Sequence, residues 1–252
     1  MVPIPGGEGT VYDAWLKRQR GDTAQLTLGN LGGGSDFAGF YHHLGIPSAG
    51  IGFDGPYGVY HSMYDSYRWM TRFGDSAYRA HQAGARLVSV LLARLANADL
   101  LPLDYVGFGL EMTQLVVQLD SGITDKRLAV NTGPVREALV RFTESARRFE
   151  RARAASLAGR ADRRRWAAAN AALMRVERAL TRPQGLVSRA WYRSLQFASD
   201  VDNGYATMAF PTVNEAIRYG DAAAVEREIA DLVTRIDAAR EQLEAAIRAL
   251  EA

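Results

Sequence analysis

"VEREIADLVTRIDAAREQLEAAIRAL", residues 225–250, is the stretch that decides the fold. Val225, Ile229, Leu232, Ile236, Ala239, Leu243, Ala246 and Leu250 alternate steps of four and three without a slip. A mean step of about 3.5 residues keeps one narrow apolar stripe in line along an α-helix, as bundles and coiled coils require. Such a stripe needs cover. Helices of the same chain or a second copy of it could supply that cover, and the period alone leaves both open.

Working outward, the same signal recurs. Val135, Leu139, Phe142, Ala146 and Phe149 form one stripe, and Trp166, Ala169, Leu173, Val176 and Leu180 another. Beyond the break at Pro102, Tyr105, Phe108, Met112, Leu115 and Leu119 predict a fourth helix. Together these predict a helical bundle. Between its helices, "RPQGLVSRAWYRSLQFASDVDNGYATMAFPTV" (182–213) breaks the period with Pro183, Gly185, Gly204 and Pro211. Irregular stretches of this length are uncommon inside compact domains and tend to carry function. Trp191, Tyr192, Phe197, Tyr205 and Phe210 are too many rings for a solvated linker.

The first hundred residues read differently. "AQLTLGNL" (24–31) and "PSAGIGF" (47–53) are candidate strands. Between them, "GGGSDFAGFYHHLG" (32–45) predicts a glycine turn, a cap at Ser35 or Asp36, and a short helix with Phe37, Phe40, Tyr41 and Leu44 on its apolar side, stopped at Gly45. One strand–helix–strand unit cannot close a core, so this α/β portion is incomplete. From Ser62 the pattern is helical: Met63, Tyr67, Met70 and Phe73, then a longer helix carrying Ala85, Val88, Leu91, Leu92 and Leu95.

Composition narrows the function classes. Thirty basic against 28 acidic residues leave +2, and the single basic cluster, Arg147 to Arg165, reads as a solvated face partly paired with Glu144 and Glu150, so nucleic acid is not an expected partner. Zero cysteine rules out disulfides, thiol catalysis and Cys-ligated zinc. "MVPIPGGEGT" shows no basic n-region followed by an apolar core, and no apolar run approaches the roughly 20 residues that cross a bilayer. The chain reads as soluble, with its compartment open and export of a parent protein compatible.

The motifs offer little chemistry by themselves. No H-E-x-x-H pair, P-loop, G-x-G-x-x-G or G-x-S-x-G elbow is present. Adjacent His42 and His43 point about 100° apart on a helix, and His81 lies on the longer helix. "GGGSD" could cradle an anion, but three glycines more simply serve a tight turn. His61, in "YGVYHSMYDSY" (57–67), sits among four tyrosines as a ligand, a base or a polar residue at a helix start.

The order of several segments resembles the C-terminal part of the glutamate carboxypeptidase II and transferrin receptor family. They are "VYDAWLKR" (11–18), "LGGGSDFAGFYHHLGIPSA" (31–49), "YGVYHSMYDSYRWMTRFGD" (57–75), "LPLDY" (101–105), "WYRSLQFAS" (191–199) and "NGYATMAFP" (203–211). The resemblance implies a mainly α fold: residues 1–98 as the closing, incomplete α/β segment of a zinc-peptidase domain, and 99–252 as a helical dimerisation domain. It also implies a homodimer and a peptide substrate for the parent protein.

The family's peptidases hold two zinc ions with a bridging carboxylate and use a glutamate as general base. Of those groups only one histidine has a counterpart here, His61, an orphan zinc ligand. The resemblance therefore implies a chain that completes a substrate cleft and is inactive alone, with zinc belonging to the intact parent. Tyr60 and Tyr205 match substrate-contacting tyrosines, Gly34 matches a cleft-lining backbone position, and Ser35 stands where the family has an asparagine. The pocket lysine is replaced by Gly204, and the arginine patch falls on Ala49 to Gly52, which has none. Those losses speak against a strict acidic-dipeptide preference. For dimerisation the expectation falls on Val225, Ile229, Leu232, Ile236, Leu243 and Leu250. A non-catalytic receptor-like or scaffold protein of the same fold is the alternative.

Overall fold

The computed structural model describes residues 2–5, 7–19, 28–53 and 57–252. The chain divides into two compact units, one of residues 1–29 and 50–98, the other of 30–49 and 99–252.

In the first unit, α1 spans Val11–Arg18 and begins in a reciprocal capping box. Thr10 Oγ1 accepts from the Asp13 amide at 3.2 Å, while Asp13 Oδ2 accepts from the Thr10 amide at 3.0 Å. Helix α2, Tyr67–Trp69, is capped by Ser66 and runs on as a π-helical turn, Met70–Gly74. Helix α3, Arg79–Ala96, is entered through Tyr78 in the left-handed region. Asp75 closes that entrance, accepting from the Arg79 and His81 amides at 2.8 and 3.0 Å and from His81 Nδ1 at 2.7 Å.

Local capping therefore accounts for these helices, because packing does not. Ala83 is the only buried residue among the described residues of this unit. The face expected to be apolar lies open: Val88 is 38% and Leu92 59% exposed. The expected helix from Ser62 starts instead at Tyr67, leaving Met63 89% exposed. Residues 47–53 form no strand; they pair with no ladder. Residues 24–27 of the other candidate strand lie outside the described residues, and 28–31 carry no pairing.

The second unit holds the core. Its helices are α4 (Tyr105–Asp125), α5 (Gly133–Ala158), α6 (Arg163–Leu173), α7 (Val176–Ala179), α8 (Pro211–Tyr219) and α9 (Ala222–Glu251). Short acidic caps start three of them: Asp104 accepts from Gly107, Asp162 from Arg164 and Arg165, and Asp221 from Ala224. Every residue of the three regular stripes is buried. Helix α9 packs on α5, α6, α7 and α8. Arg141 pairs with Asp237 at 2.9 Å and Arg148 with Glu244 at 3.0 Å, seven residues further on in both helices, so α5 and α9 run parallel. Buried Glu244 also accepts from Ser145 Oγ at 2.6 Å, which offsets the desolvation of its charge.

This packing corrects one expectation. Val225, Ile229, Leu232, Ile236, Leu243 and Leu250 are 0% to 6% exposed against helices of their own chain. Burying each aliphatic side chain contributes about 1.5–3 kcal/mol to folding. The stripe is core, not a surface for a second copy.

Residues 182–213 are not wholly irregular. They contain a two-stranded antiparallel sheet, β1 (Phe197–Ser199) and β2 (Thr207–Ala209), in the register Phe197↔Ala209 and Ser199↔Thr207. The segment 30–49 lies in the same unit. Its helix is a π-helical turn, Gly39–His43, whose N-cap is Ala38 without a side-chain bond, so neither Ser35 nor Asp36 caps it. The wider turn re-aims the side chains: Tyr41 and His42 are buried, whereas Phe40 and Leu44 are 57% and 50% exposed. Gly45, at φ +63, ends it, and a Cβ there would stand 2.9 Å from Arg178 Cα.

Candidate functional site

The candidate site in the second unit is where the glycine run meets the β1–β2 hairpin. A Cβ on Gly32 would sit 2.5 Å from Thr207 Oγ1, on Gly33 2.0 Å from the Gly204 carbonyl oxygen, and on Gly34 2.6 Å from the Tyr205 ring. No Cβ fits at such distances, so the run is glycine because its backbone lies directly on the 199–207 loop. Only Gly34, at φ +71, also needs the left-handed region. Close packing against the hairpin therefore gives the run a structural reason that needs no bound anion.

His42 locks this junction from beneath. Its Nδ1 lies 3.0 Å from the Phe197 carbonyl oxygen, and its Nε2 hydrogen bonds to the Gly32 carbonyl oxygen. Burial pulls the imidazole below its ordinary value, and Arg189 adds to that, although the two carbonyls act the other way. Tyr41 donates to Gln196 Oε1 at 2.5 Å, fixing the same turn to the residue before β1. His43 Nδ1 meets the Trp191 carbonyl oxygen at 2.7 Å.

Two ion-pair networks hold the hairpin itself. Arg189 donates to Glu215 Oε1 at 2.5 Å and to the Ser199 carbonyl oxygen at 2.8 Å, and stacks over Tyr192 at 4.7 Å. Arg218 donates to Asp200 at 2.6 Å and Asp202 at 3.1 Å, and Tyr219 also donates to Asp202, at 2.6 Å. The Arg218 guanidinium and the Asp202 and Asn203 amides hold the Asp200 carboxyl down at about 2. Asn203 Oδ1 accepts from the Tyr205 amide at 3.1 Å, and the Ala206 amide donates to the Asn203 carbonyl oxygen, also at 3.1 Å, so the turn is bonded on both sides of Gly204. Tyr205 is 59% exposed and Ser35 is exposed beside Gly34.

Tyr60 and His61 lie in the first unit. Their rings stack with centroids 3.8 Å apart, both residues are exposed, and His61 takes φ +60, a region few non-glycine residues adopt. Among the described residues no group of three His, Cys, Asp or Glu side chains could hold a metal ion. A catalytic zinc takes about three protein ligands. The residues present do not fit one.

A Cβ at Gly204 or Gly52 would meet nothing within 4 Å. Packing therefore does not forbid larger side chains there. Of the residues that build the junction, Arg189, Glu215 and Arg218 carry no signal in the sequence, and His42 is weighed there only as a ligand and not as the lock of this turn. Spacings of 155 residues between His42 and Phe197, or 26 between Arg189 and Glu215, leave no local signal.

The class follows from the helical half: residues 130–244 match the transferrin receptor-like dimerisation domain. This match and the relatives below are consistent with the C-terminal part of the glutamate carboxypeptidase II and transferrin receptor-like family. It is 32% identical over 209 residues to a probable glutamate carboxypeptidase, LAMP1, of Arabidopsis thaliana, covering 82% of this chain and 29% of that protein. It is 31% identical over 218 residues to a probable glutamate carboxypeptidase of Arthroderma benhamiae, covering 84% and 29%. A third relative, an inactive zinc metalloprotease of Schizosaccharomyces pombe, is 23% identical, with 83% and 28% covered. The chain thus spans less than a third of the length of these relatives.

Proposed function

We propose that this chain is the homodimerisation and cleft-completing part of a glutamate carboxypeptidase II-like zinc metallopeptidase, and that the 252 residues alone have no peptidase activity. Residues 1–98 would be the closing segment of the peptidase-like domain and 99–252 the dimerisation domain. The observation that carries the reading is Tyr205. An exposed ring is held against Gly34 by a hydrogen-bonded turn, as a lip that contacts substrate requires. Tyr60, Gly34 and Ser35 are the other proposed substrate contacts, and His61 the proposed ligand to zinc in the intact protein.

For association, the support is the matched dimerisation domain and an apolar surface outside the core. Leu110 and Val117, two turns apart on α4, are 46% and 56% exposed, and Val140 on the adjoining α5 is 51% exposed. Sedimentation of the purified chain over a wide concentration range tests this. A mass of about twice 27.6 kDa is expected. A monomer throughout would remove the association role. Zinc-dependent turnover of peptides by the same preparation would refute the claim of inactivity.

One observation favours a second reading, a non-catalytic scaffold. The positions of the family's lysine and arginine patch are Gly204 and Ala49 to Gly52, with open space at Gly204. Titrating the intact parent protein with zinc separates the two, because a scaffold takes up none at stoichiometric levels.

A further inference from the structure

The end of the α5–α6 hairpin carries a charge that neither the core nor the cleft uses. Residues 147–165 hold eight arginines against two acids, in a chain whose total is only +2. Three of those arginines are neutralised: Arg148 by Glu244, Arg153 by Glu150 and Arg165 by Asp162. Arg147, Arg151, Arg160, Arg163 and Arg164 are exposed and form no ion pair among the described residues. The scaffold beneath them is fixed. Trp166 Nε1 donates to Ser156 Oγ at 2.9 Å across the hairpin, and Asp162 caps α6.

Next to the connection that carries Arg160, Arg163 and Arg164 stands an apolar residue. Leu157 is 48% exposed on the last turn of α5, with Ala158, Gly159 and Ala161 exposed around it. Arg160, Arg163 and Arg164 lie on the α5–α6 connection and the first turn of α6, with Arg147 and Arg151 two to three turns back along α5, and unpaired cations gathered in this way attract a polyanion. Single-stranded nucleic acid wants aromatic platforms, and residues 150–165 contain no aromatic residue. A duplex backbone offers nothing to an exposed leucine. An anionic bilayer surface rewards both features, with headgroup phosphates for the guanidinium groups and the acyl boundary for a shallow apolar wedge.

We infer that the α5–α6 tip is a peripheral docking surface for anionic lipid headgroups. Each arginine near such a surface raises partitioning about fivefold, so the three unpaired ones at the connection, Arg160, Arg163 and Arg164, suffice for salt-sensitive binding without any spanning segment.

The test is cosedimentation of the purified chain with vesicles of phosphatidylcholine containing about 30% phosphatidylserine, against pure phosphatidylcholine, at rising salt. Binding to the anionic vesicles alone is expected, weakening as salt screens it. The triple variant Arg160→Gln, Arg163→Gln, Arg164→Gln should lower the partition coefficient about a hundredfold, and Leu157→Ser severalfold. Helical circular dichroism confirms that these exposed substitutions leave the fold intact. Should the triple variant fold poorly, Arg163→Gln and Arg164→Gln singly are each expected to cost about fivefold. No binding at low salt, or binding that survives the arginine substitutions, overturns the proposal. Insensitivity to Leu157→Ser together with equal retention on duplex DNA also overturns it, by showing a general polyanion surface instead.

Discussion

Single residues in this chain are constrained by close approach more than by chemistry. Gly34 sits under the Tyr205 ring at φ +71, so Gly34→Ala meets both a steric clash and a left-handed backbone penalty. A loss of about 1–3 kcal/mol is expected from the backbone alone, read as a lowered unfolding midpoint. Gly204→Ala is the control: its Cβ enters open space, and a change within about 0.5 kcal/mol is expected. Glu177 gives a second prediction at this scale. It forms no ion pair among the described residues, lies near the phenols of Tyr41 and Tyr105, and burial lifts its carboxyl to about 7. The folded state therefore disfavours the ionised form, and stability falls as pH rises from the unfolded value of 4.5 through 7. Glu177→Gln should then stabilise the protein by about 1–3 kcal/mol at pH 8 and leave it unchanged below pH 4.5, measured by urea unfolding at the two pH values.

At the scale of elements, what was legible was what is encoded locally. The stripes of α5, α6–α7 and α9 read directly because side chains three and four apart share a helix face, and each predicted stripe residue is buried. The two three-residue strands were not legible. A ladder that short has no measurable alternation, and its stability comes from buried Phe197 and Phe210 and from the Arg189–Glu215 pair beneath it. The helix at Gly39–His43 was legible in place but not in face, because a π-helical turn breaks the period on which the expected Phe40 and Leu44 burial rested. The resemblance paired Gly34 and Tyr205 in one cleft, yet the reason for three consecutive glycines appears only once the 199–207 loop is seen lying on them. For α3, the periodic apolar face at Val88 and Leu92 was legible, and it lies exposed. Periodicity reports which face wants cover, and only packing reports whether it has it.

For the molecule as a whole, the same distinction separates stability from association. Leu232 is 1% exposed in the centre of α9, facing helices of its own chain, while Leu110 and Val117 lie on the outer face of α4. Leu232→Ala removes buried methyl groups and should cost about 2–5 kcal/mol in unfolding free energy. If the proposed dimer forms through the outer surface, that variant associates as the parent chain does wherever it remains folded. The double variant Leu110→Asp, Val117→Asp places two carboxylates on exposed positions where no core is lost, so the unfolding of the monomer should shift by less than about 1 kcal/mol. Two desolvated charges on each copy would nevertheless oppose burial against a partner, and sedimentation should report a monomer at concentrations where the parent chain is dimeric. The opposite pattern, a dimer that survives the α4 charges and dissociates only as Leu232→Ala unfolds, would place the interface elsewhere. Association would then be bound to the integrity of the bundle and not to its α4 face.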